Sequence, residues 1–313
     1  MKADAYYMRN PRSVVVTGAE RIITVGDQGR AIAHATRDAR QWSLLMQRLS
    51  EPVLGQSIVD LIASISDLDD DLWQDLLAAG HVLQAAQPET LLSGRDRVFR
   101  ENPGFRFAPG EPRCEHLIVA CTGSVVAGLM APTLLSLAYS RFQKTLDVML
   151  TTAAQKFVTR ELLEAYGIRS WCDAFETREG FHVPHVQLGR SASCILVMPA
   201  TANALHRIAT GACSDLLSLT IAAGNAPVVL APAMNETMWN HRAVQRNVHQ
   251  LREDGMYVIE PTLIFGAADV ASQGAPMFGG HGTLWGGPGS LMDTLAAVMR
   301  DAGRAPAAAA GQA

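Results

Sequence analysis

Residues 116–140 read HLIVACTGSVVAGLMAPTLLSLAYS. The run LIVAC is apolar without alternation, so a strand built from it needs cover on both faces rather than one. A TGS turn follows, and then apolar residues at helical spacing. The same rhythm recurs: TLDVMLTTAA leads into QKFVTRELLEAYG, SCILVMPATAN into ALHRIATGACSDLLSLTIAAG, and APVVLAPAMN into HRAVQRNVHQLREDG, before MYVIEP closes the series. Buried strands alternating with helices predict an α/β unit with a doubly wound parallel sheet over residues 114–300.

Upstream the texture changes. SVVVTG and RIITVGD read as short strands, and WSLLMQRLS, GQSIVDLIASIS and DDDLWQDLLAAGHVL carry apolar residues three and four apart, as amphipathic helices do. Residues 1–86 are therefore expected to form a small α+β domain of winged-helix-like layout. Asp67, Asp69, Asp70 and Asp71 suit a helix N-terminus. Residues 87–113, with four prolines and no periodicity, read as a linker, and the Ala-rich residues 301–313 as a disordered tail.

Bulk properties narrow the partners. The chain has 313 residues, 48% hydrophobic and 18% charged, with a net charge of -4. That balance describes a folded globular chain with no global field for nucleic acid or an anionic membrane. No run reaches the length of a membrane span, and MKADAYYMRNPRS lacks the apolar core of a signal peptide, so a cytoplasmic location is expected. The five cysteines form no CxxC pair, which argues against disulfides and a zinc site. No metal is expected.

In a doubly wound sheet the ligand site lies beyond the carboxyl ends of the strands. Four such ends carry small, hydroxyl or amide residues: ACTGS (120–124), LTTAA (150–154), MPATAN (198–203) and APAMN (231–235). Ser124 and Thr151 each read as an ordinary N-cap, but together at two strand ends they suggest a mononucleotide phosphate. There is no GxGxxG after the first strand and no GxxxxGK[ST] anywhere, which weakens NAD and ATP as ligands. The last end continues as APAMNETMWN, residues 231–240. Pro227 and Pro232 force a turn there, and two methionines and a tryptophan imply packing, either under a core or in a site.

The strand ends match a family. PATANALHRIATGACSDLL resembles the PASANT...K.A.G..DNLL motif of flavin-containing cysteine decarboxylases, and PAMNETMW resembles their P.MN..MW motif. The family includes phosphopantothenoylcysteine decarboxylases of coenzyme A synthesis and epidermin-type enzymes acting on the C-terminal cysteine of a ribosomal peptide. The likeness covers residues 114–262. It implies a Rossmann-like flavoprotein fold binding FMN, with Thr122, Gly123, Ser124, Thr151, Pro199, Ala200, Thr201, Ser218 and Met238 at the cofactor. His185 stands fourteen positions before Pro199, as the family's catalytic histidine does, and Asn203 corresponds to the asparagine at the substrate carboxylate. Met234 and Asn235 correspond to substrate contacts. The resemblance further implies a homo-oligomer, a trimer or trimers of trimers, with FMN at the interface and the histidine supplied by the neighbouring chain.

The sequence departs from the coenzyme A type in one respect. Those members carry a cysteine in a Gly-rich clamp after the second motif; here FGAADVASQGAPMFGGHG holds none, and no cysteine follows Cys213. The expected reaction is therefore oxidative decarboxylation to an enethiol, on a precursor peptide with a C-terminal cysteine. The N-terminal domain resembles small leader-peptide-binding domains that act by strand addition, with an oligomerisation appendage as the alternative. Phosphopantothenoylcysteine decarboxylation, a prenyltransferase relative and a non-catalytic flavoprotein-like binding subunit are the competing functions.

Overall fold

The computed structural model describes residues 1–10, 13–26, 31–91, 114–140, 142–178, 180–265, 278–282 and 288–304. Its N-terminal strands are β1 (Tyr6–Arg9), β2 (Val14–Thr17), β3 (Arg21–Val25), β4 (Ala31–Ala35), β5 (Val53–Leu54) and β6 (Val82–Ala85). The strands of the second region are β7 (Cys114–Cys121), β8 (Gln143–Leu150), β9 (Arg169–Trp171), β10 (Cys194–Ala200) and β11 (Val228–Pro232). They are followed by β12 (Met234–Asn235), β13 (Tyr257–Ile259), β14 (Thr262–Phe265) and β15 (Phe278–Gly282).

Six strands pair in parallel in the order β9-β8-β7-β10-β11-β13. The chain runs outward from β7 to β9, then returns to the middle and runs out again through β10, so the direction of winding reverses between β7 and β10. That reversal makes the doubly wound sheet and opens a crevice beyond those two strands. Pleating sends successive residues to opposite layers. Leu117, Val119 and Cys121 join one buried cluster with the helices Met130–Ser140 and Pro288–Arg304. Ile118 and Ala120 join the other, covered by the helices Pro184–Ser191, Ala202–Ala209, Leu216–Ala222 and Arg242–Glu253.

The N-terminal region is not a sheet apart. β2, β3 and β4 form an antiparallel meander, and β2 pairs antiparallel with β13 (Val258↔Thr17, Ile259↔Val16), extending the parallel sheet to nine strands. The boundary expected at residue 86 thus does not separate two hydrogen-bonded sheets. A small sheet β5-β1-β6 and the helices Ala39–Arg48, Val59–Ala63 and Asp70–Ala78 make up the rest. Trp42, Leu45, Met46 and Trp73 pack with Val15 and Ile22, so these helices cover the end of the large sheet. The last two residues of the third expected helix, Val82 and Leu83, belong to strand β6 instead, because Gly80 takes φ 72 and ends the helix before them.

The seam is polar. Arg252 pairs with Glu260, Thr17 Oγ1 donates to Glu260 Oε1 (2.6 Å), and Ser43 Oγ donates to Glu260 Oε2 (2.8 Å). Buried Arg9 donates to the Glu260 carbonyl. Desolvation holds its guanidinium down to about 10, against the pull of Glu260.

Two further expectations change. The tail does not begin at 301: the last helix runs to Arg304, held by Asp301, which pairs with Arg21 (2.9 Å) and accepts from the Tyr257 hydroxyl (3.0 Å). Most of the expected linker, 92–113, and most of the Gly-rich clamp, including Ala268 and Ser272, lie outside the described residues.

Candidate active site

The loops after β7, β8 and β10 converge on a cavity of about 410 Å³, within the range typical of small-molecule sites. Thr122 and Gly123 reach it from β7, Thr151 and Thr152 from β8, Cys172 from just beyond β9, and Thr201 and Asn203 from β10. Leu216 and Leu217 at the start of a helix, and Met238 from the second motif, close it.

Hydrogen bonds tie the strand ends together. Thr122 Oγ1 donates to the Pro199 carbonyl (2.6 Å) and accepts from the Thr201 N–H (3.0 Å), bridging β7 and β10 across the crevice. Thr201 Oγ1 caps the helix Ala202–Ala209 by accepting from Ala204 N–H, which places Asn203 in its first turn with an exposed side chain. Thr151 Oγ1 accepts from Ala154 N–H (3.3 Å). A Cβ on Gly123 would stand 2.3 Å from the Ala153 Cβ, so glycine is what lets the two loops touch and leaves main chain facing the cavity.

Six of the expected residues therefore line one cavity: Thr122, Gly123, Thr151, Thr201, Asn203 and Met238. The other seven do not. Pro199 and Ala200 are buried in β10 after a cis Met198–Pro199 bond. Ser124 Oγ caps the turn that follows it, accepting from Val126 N–H. Ser218 is buried outside the cavity lining, and its hydroxyl donates to Asp215 Oδ1 (2.7 Å) in a capping box at the helix start. Asn235 Oδ1 accepts from Met238 N–H (2.8 Å), and the backbone of Met234 pairs with His281 in β15. That cap fixes how Met238 is presented to the cavity.

His185 sits in the first turn of the helix Pro184–Ser191, half-buried and outside this cavity. Its Nδ1 is buried with no hydrogen-bond partner among the described residues. The helix is set by backbone contact with Leu216–Ala222, where a Cβ on Gly224 would fall 2.3 Å from the Gly189 carbonyl oxygen. Its far end is tied by Ser191 Oγ and His116 Nδ1 (2.9 Å), and His116 Nε2 meets Asp147 (2.7 Å). Burial would raise the Asp147 pKa, but hydrogen bonds from Arg169, His116 and Trp171 outweigh it and bring the carboxyl to about 2.

Sequence reasoning missed Thr152, Cys172, Arg207 and Asp215. Arg207 Nη1 pairs with Asp215 Oδ2 (2.8 Å) at the cavity wall, joining the two helices that flank it. Both lie within the motif that follows Pro199, which was the available signal. Among the described residues, no group of three or more His, Cys, Asp or Glu is gathered as a metal site, and no helix is long and apolar enough to cross a membrane.

Residues 108–276 match the family model described as Flavoprotein. Mersacidin decarboxylase of Bacillus sp. (strain HIL-Y85/54728) is 33% identical over 151 residues, which are 47% of this chain and 74% of that protein. The coenzyme A biosynthesis bifunctional protein CoaBC of Bacillus subtilis (strain 168) is 37% identical over 116 residues, 37% of this chain and 29% of that protein. The chain thus spans less than a third of that CoaBC. Among solved structures, the FMN-dependent cysteine decarboxylase SpaF aligns with a TM-score of 0.49 at 30% identity, over 60% of this chain and 97% of that one.

Proposed function

The chain belongs to the flavoprotein family, and from that premise we propose that it is an FMN-dependent decarboxylase that oxidises the C-terminal cysteine of a peptide and releases an enethiol. One observation carries the reading: residues from both sequence motifs, Asn203 and Met238, line the same crevice as Thr122, Gly123 and Thr151. The mersacidin decarboxylase relative, three-quarters of which this chain covers, supports a peptide substrate over a small one.

The cavity fits the cofactor in size and chemistry. Main chain at Gly123 and the hydroxyl-bearing turn Thr151-Thr152 offer donors to a phosphate, while Met238 offers an apolar wall. FMN bound there would supply a two-electron acceptor, leaving the cysteine as a thioaldehyde whose electron demand lets the neighbouring carboxylate depart as CO2. The exposed Asn203 amide orients that carboxylate without a fixed counter-charge that would oppose its loss. His185 carries thiol or enethiol protons, for which imidazole is suited near neutrality. Since His185 does not line the cavity of its own chain, we infer a homo-oligomer in which one protomer supplies it to the next.

The absence of any cysteine after Cys213 favours the enethiol over a saturated thiol, and so favours peptide maturation over phosphopantothenoylcysteine decarboxylation. The test is mass spectrometry of a cysteine-ending peptide incubated with the protein. Loss of CO2 plus two hydrogens is expected. Loss of CO2 alone overturns the oxidative reading. His185→Asn is expected to keep the flavin absorbance and lose turnover; a variant that still turns over removes His185 from the chemistry.

A further inference from the structure

A second cleft, of about 560 Å³, lies between the helix Ala39–Arg48 of the N-terminal region and the helix Arg242–Glu253 of the flavoprotein unit. Arg242, Gln245, Arg246 and His249 recur at three- and four-residue steps and so form one stripe of the second helix; Arg40 and Gln47, two turns apart, face them from the first. The stripe is basic and largely unneutralised. His249 meets Glu253 (3.2 Å), and Arg252 on the floor is committed to Glu260. Arg40, Arg242 and Arg246 are exposed, and no ion pair holds any of them among the described residues. Like charges one helical turn apart repel, so three guanidiniums gathered without a carboxylate on a chain of net charge -4 are not explained by folding.

The cleft neighbours the candidate active site. Met238 lines the strand-end cavity and Asn240, the residue that caps the C-terminal end of the short helix Glu236–Trp239, lines the basic cleft, so the end of that helix is the ridge between them. Two residues of chain span at most about 7 Å. An extended peptide with its C-terminal cysteine in the cavity reaches the cleft within a few residues by crossing that ridge.

We propose that this cleft binds an acidic stretch of the substrate peptide, upstream of the cysteine that reacts; the identity of that cysteine rests on the function proposed above. Guanidiniums on two facing helices suit a row of carboxylates, each reachable by bidentate hydrogen bonds, and the exposed Asn240 amide stands beside them for the peptide main chain, whereas the Gln245 and Gln47 amides already donate to the Trp239 carbonyl (2.6 Å) and to Ser43 Oγ (3.4 Å). The N-terminal region thereby becomes one wall of a recognition groove, distinct from strand addition at a sheet edge.

The test uses the full-length, flavin-loaded protein and fluorescein-labelled peptides that share a cysteine-ending segment preceded by a run of glutamates or by the same run as glutamines. The glutamate peptide is expected to bind roughly tenfold more tightly at low salt, with the advantage shrinking as salt screens the charges. In R40Q/R246Q that advantage is expected to vanish in Kd and KM, with kcat on the glutamine peptide unchanged. Equal binding of the two peptides by the unaltered protein, or an advantage that survives in the variant, overturns the proposal. So does displacement of the peptide by inorganic phosphate or a single-stranded oligonucleotide at lower concentration than unlabelled peptide. A glutamate peptide ending in alanine separates the two readings. If it binds in an arginine-dependent way while no cysteine peptide is turned over, the acidic site stands and the decarboxylase reading falls; if cysteine peptides are turned over without glutamate preference, the reverse holds.

Discussion

Thr122 and Thr201 join the ends of β7 and β10 through one hydroxyl, which accepts from the Thr201 N–H at 3.0 Å while donating to the Pro199 carbonyl at 2.6 Å. Both bonds lie at the reversal point of the sheet, where the cavity opens. Thr122→Val keeps the shape and removes the hydroxyl that serves both bonds, leaving the buried Pro199 C=O and the part-buried Thr201 N–H without it, at a cost of about 1–3 kcal/mol. The expected outcome is a lowered Tm and loss of flavin absorbance on desalting, with Thr122→Ser close to the unaltered protein. A valine variant that stays yellow and melts at the original temperature contradicts the bridge.

Gly189 and Gly224 bring two helices into backbone contact, and one of them carries His185. In Gly224→Ala the new methyl meets the Gly189 carbonyl oxygen at 2.3 Å, so main chain must move. Overpacking of this kind costs about 1–3 kcal/mol. Displacement of the His185 helix should lower kcat while flavin stays bound, because no residue of Pro184–Ser191 lines the cavity, and Leu216 and Leu217, which do, stand at the opposite end of their helix from Gly224. Turnover and thermal unfolding measured together check this; an unchanged Tm would show that the helices yield freely.

The central strands were legible because a parallel strand buried on both faces is apolar where it is covered, as β10 is throughout and β7 is from Leu117 to Cys121. β9 is three residues long, and β4 alternates exposed alanines with half-buried Ile32 and His34 and buries no residue fully, so neither stands out from a loop. The pairing of β2 with β13 joins residues more than two hundred positions apart, and no local pattern encodes it. In the cavity, Thr122, Thr151, Thr201 and Asn203 were legible as strand-end residues. Cys172 was not, because it follows the strand that was missed. Arg207 and Asp215 lie inside the motif after Pro199, but their pairing was not legible, since a helix surface cation and an N-cap acquire meaning only when the two helices that bear them are placed side by side.

Asp147 gives the stability of the fold a defined acid limb. Its carboxyl is lowered from an ordinary 3.8 to about 2, so the folded state binds its proton less readily than the unfolded chain does. The stabilisation is therefore fully present above about pH 4 and is lost as pH falls toward 2, amounting to about 2 kcal/mol. In Asp147→Asn, which is expected to be less stable at neutral pH, this component of the slope should disappear. Denaturant midpoints followed between pH 5 and about 2 decide it; parallel curves for the two proteins would mean that other carboxylates set the acid limit.

The seam between the N-terminal helices and the parallel sheet rests on Glu260, whose carboxylate takes hydrogen bonds from Thr17 and Ser43 and pairs with Arg252. These donors come from β2, from the helix Ala39–Arg48 and from the helix Arg242–Glu253, so one side chain holds three elements. Removing the charge alone, in Glu260→Gln, leaves the Arg252 guanidinium buried without its counter-ion and should cost about 3–5 kcal/mol. Removing both, in Arg252→Met with Glu260→Leu, should recover much of that loss, because desolvation of the pair offsets most of its attraction. Arg9 keeps its bond in either variant, since it donates to the Glu260 main-chain carbonyl rather than to the carboxylate. Denaturant unfolding measures the energies, and hydrogen exchange locates them: amides of residues 39–48 are expected to exchange faster in the single variant than in the double. Equal destabilisation by both variants would make the seam a matter of hydrogen bonds to Thr17 and Ser43 rather than of paired charge.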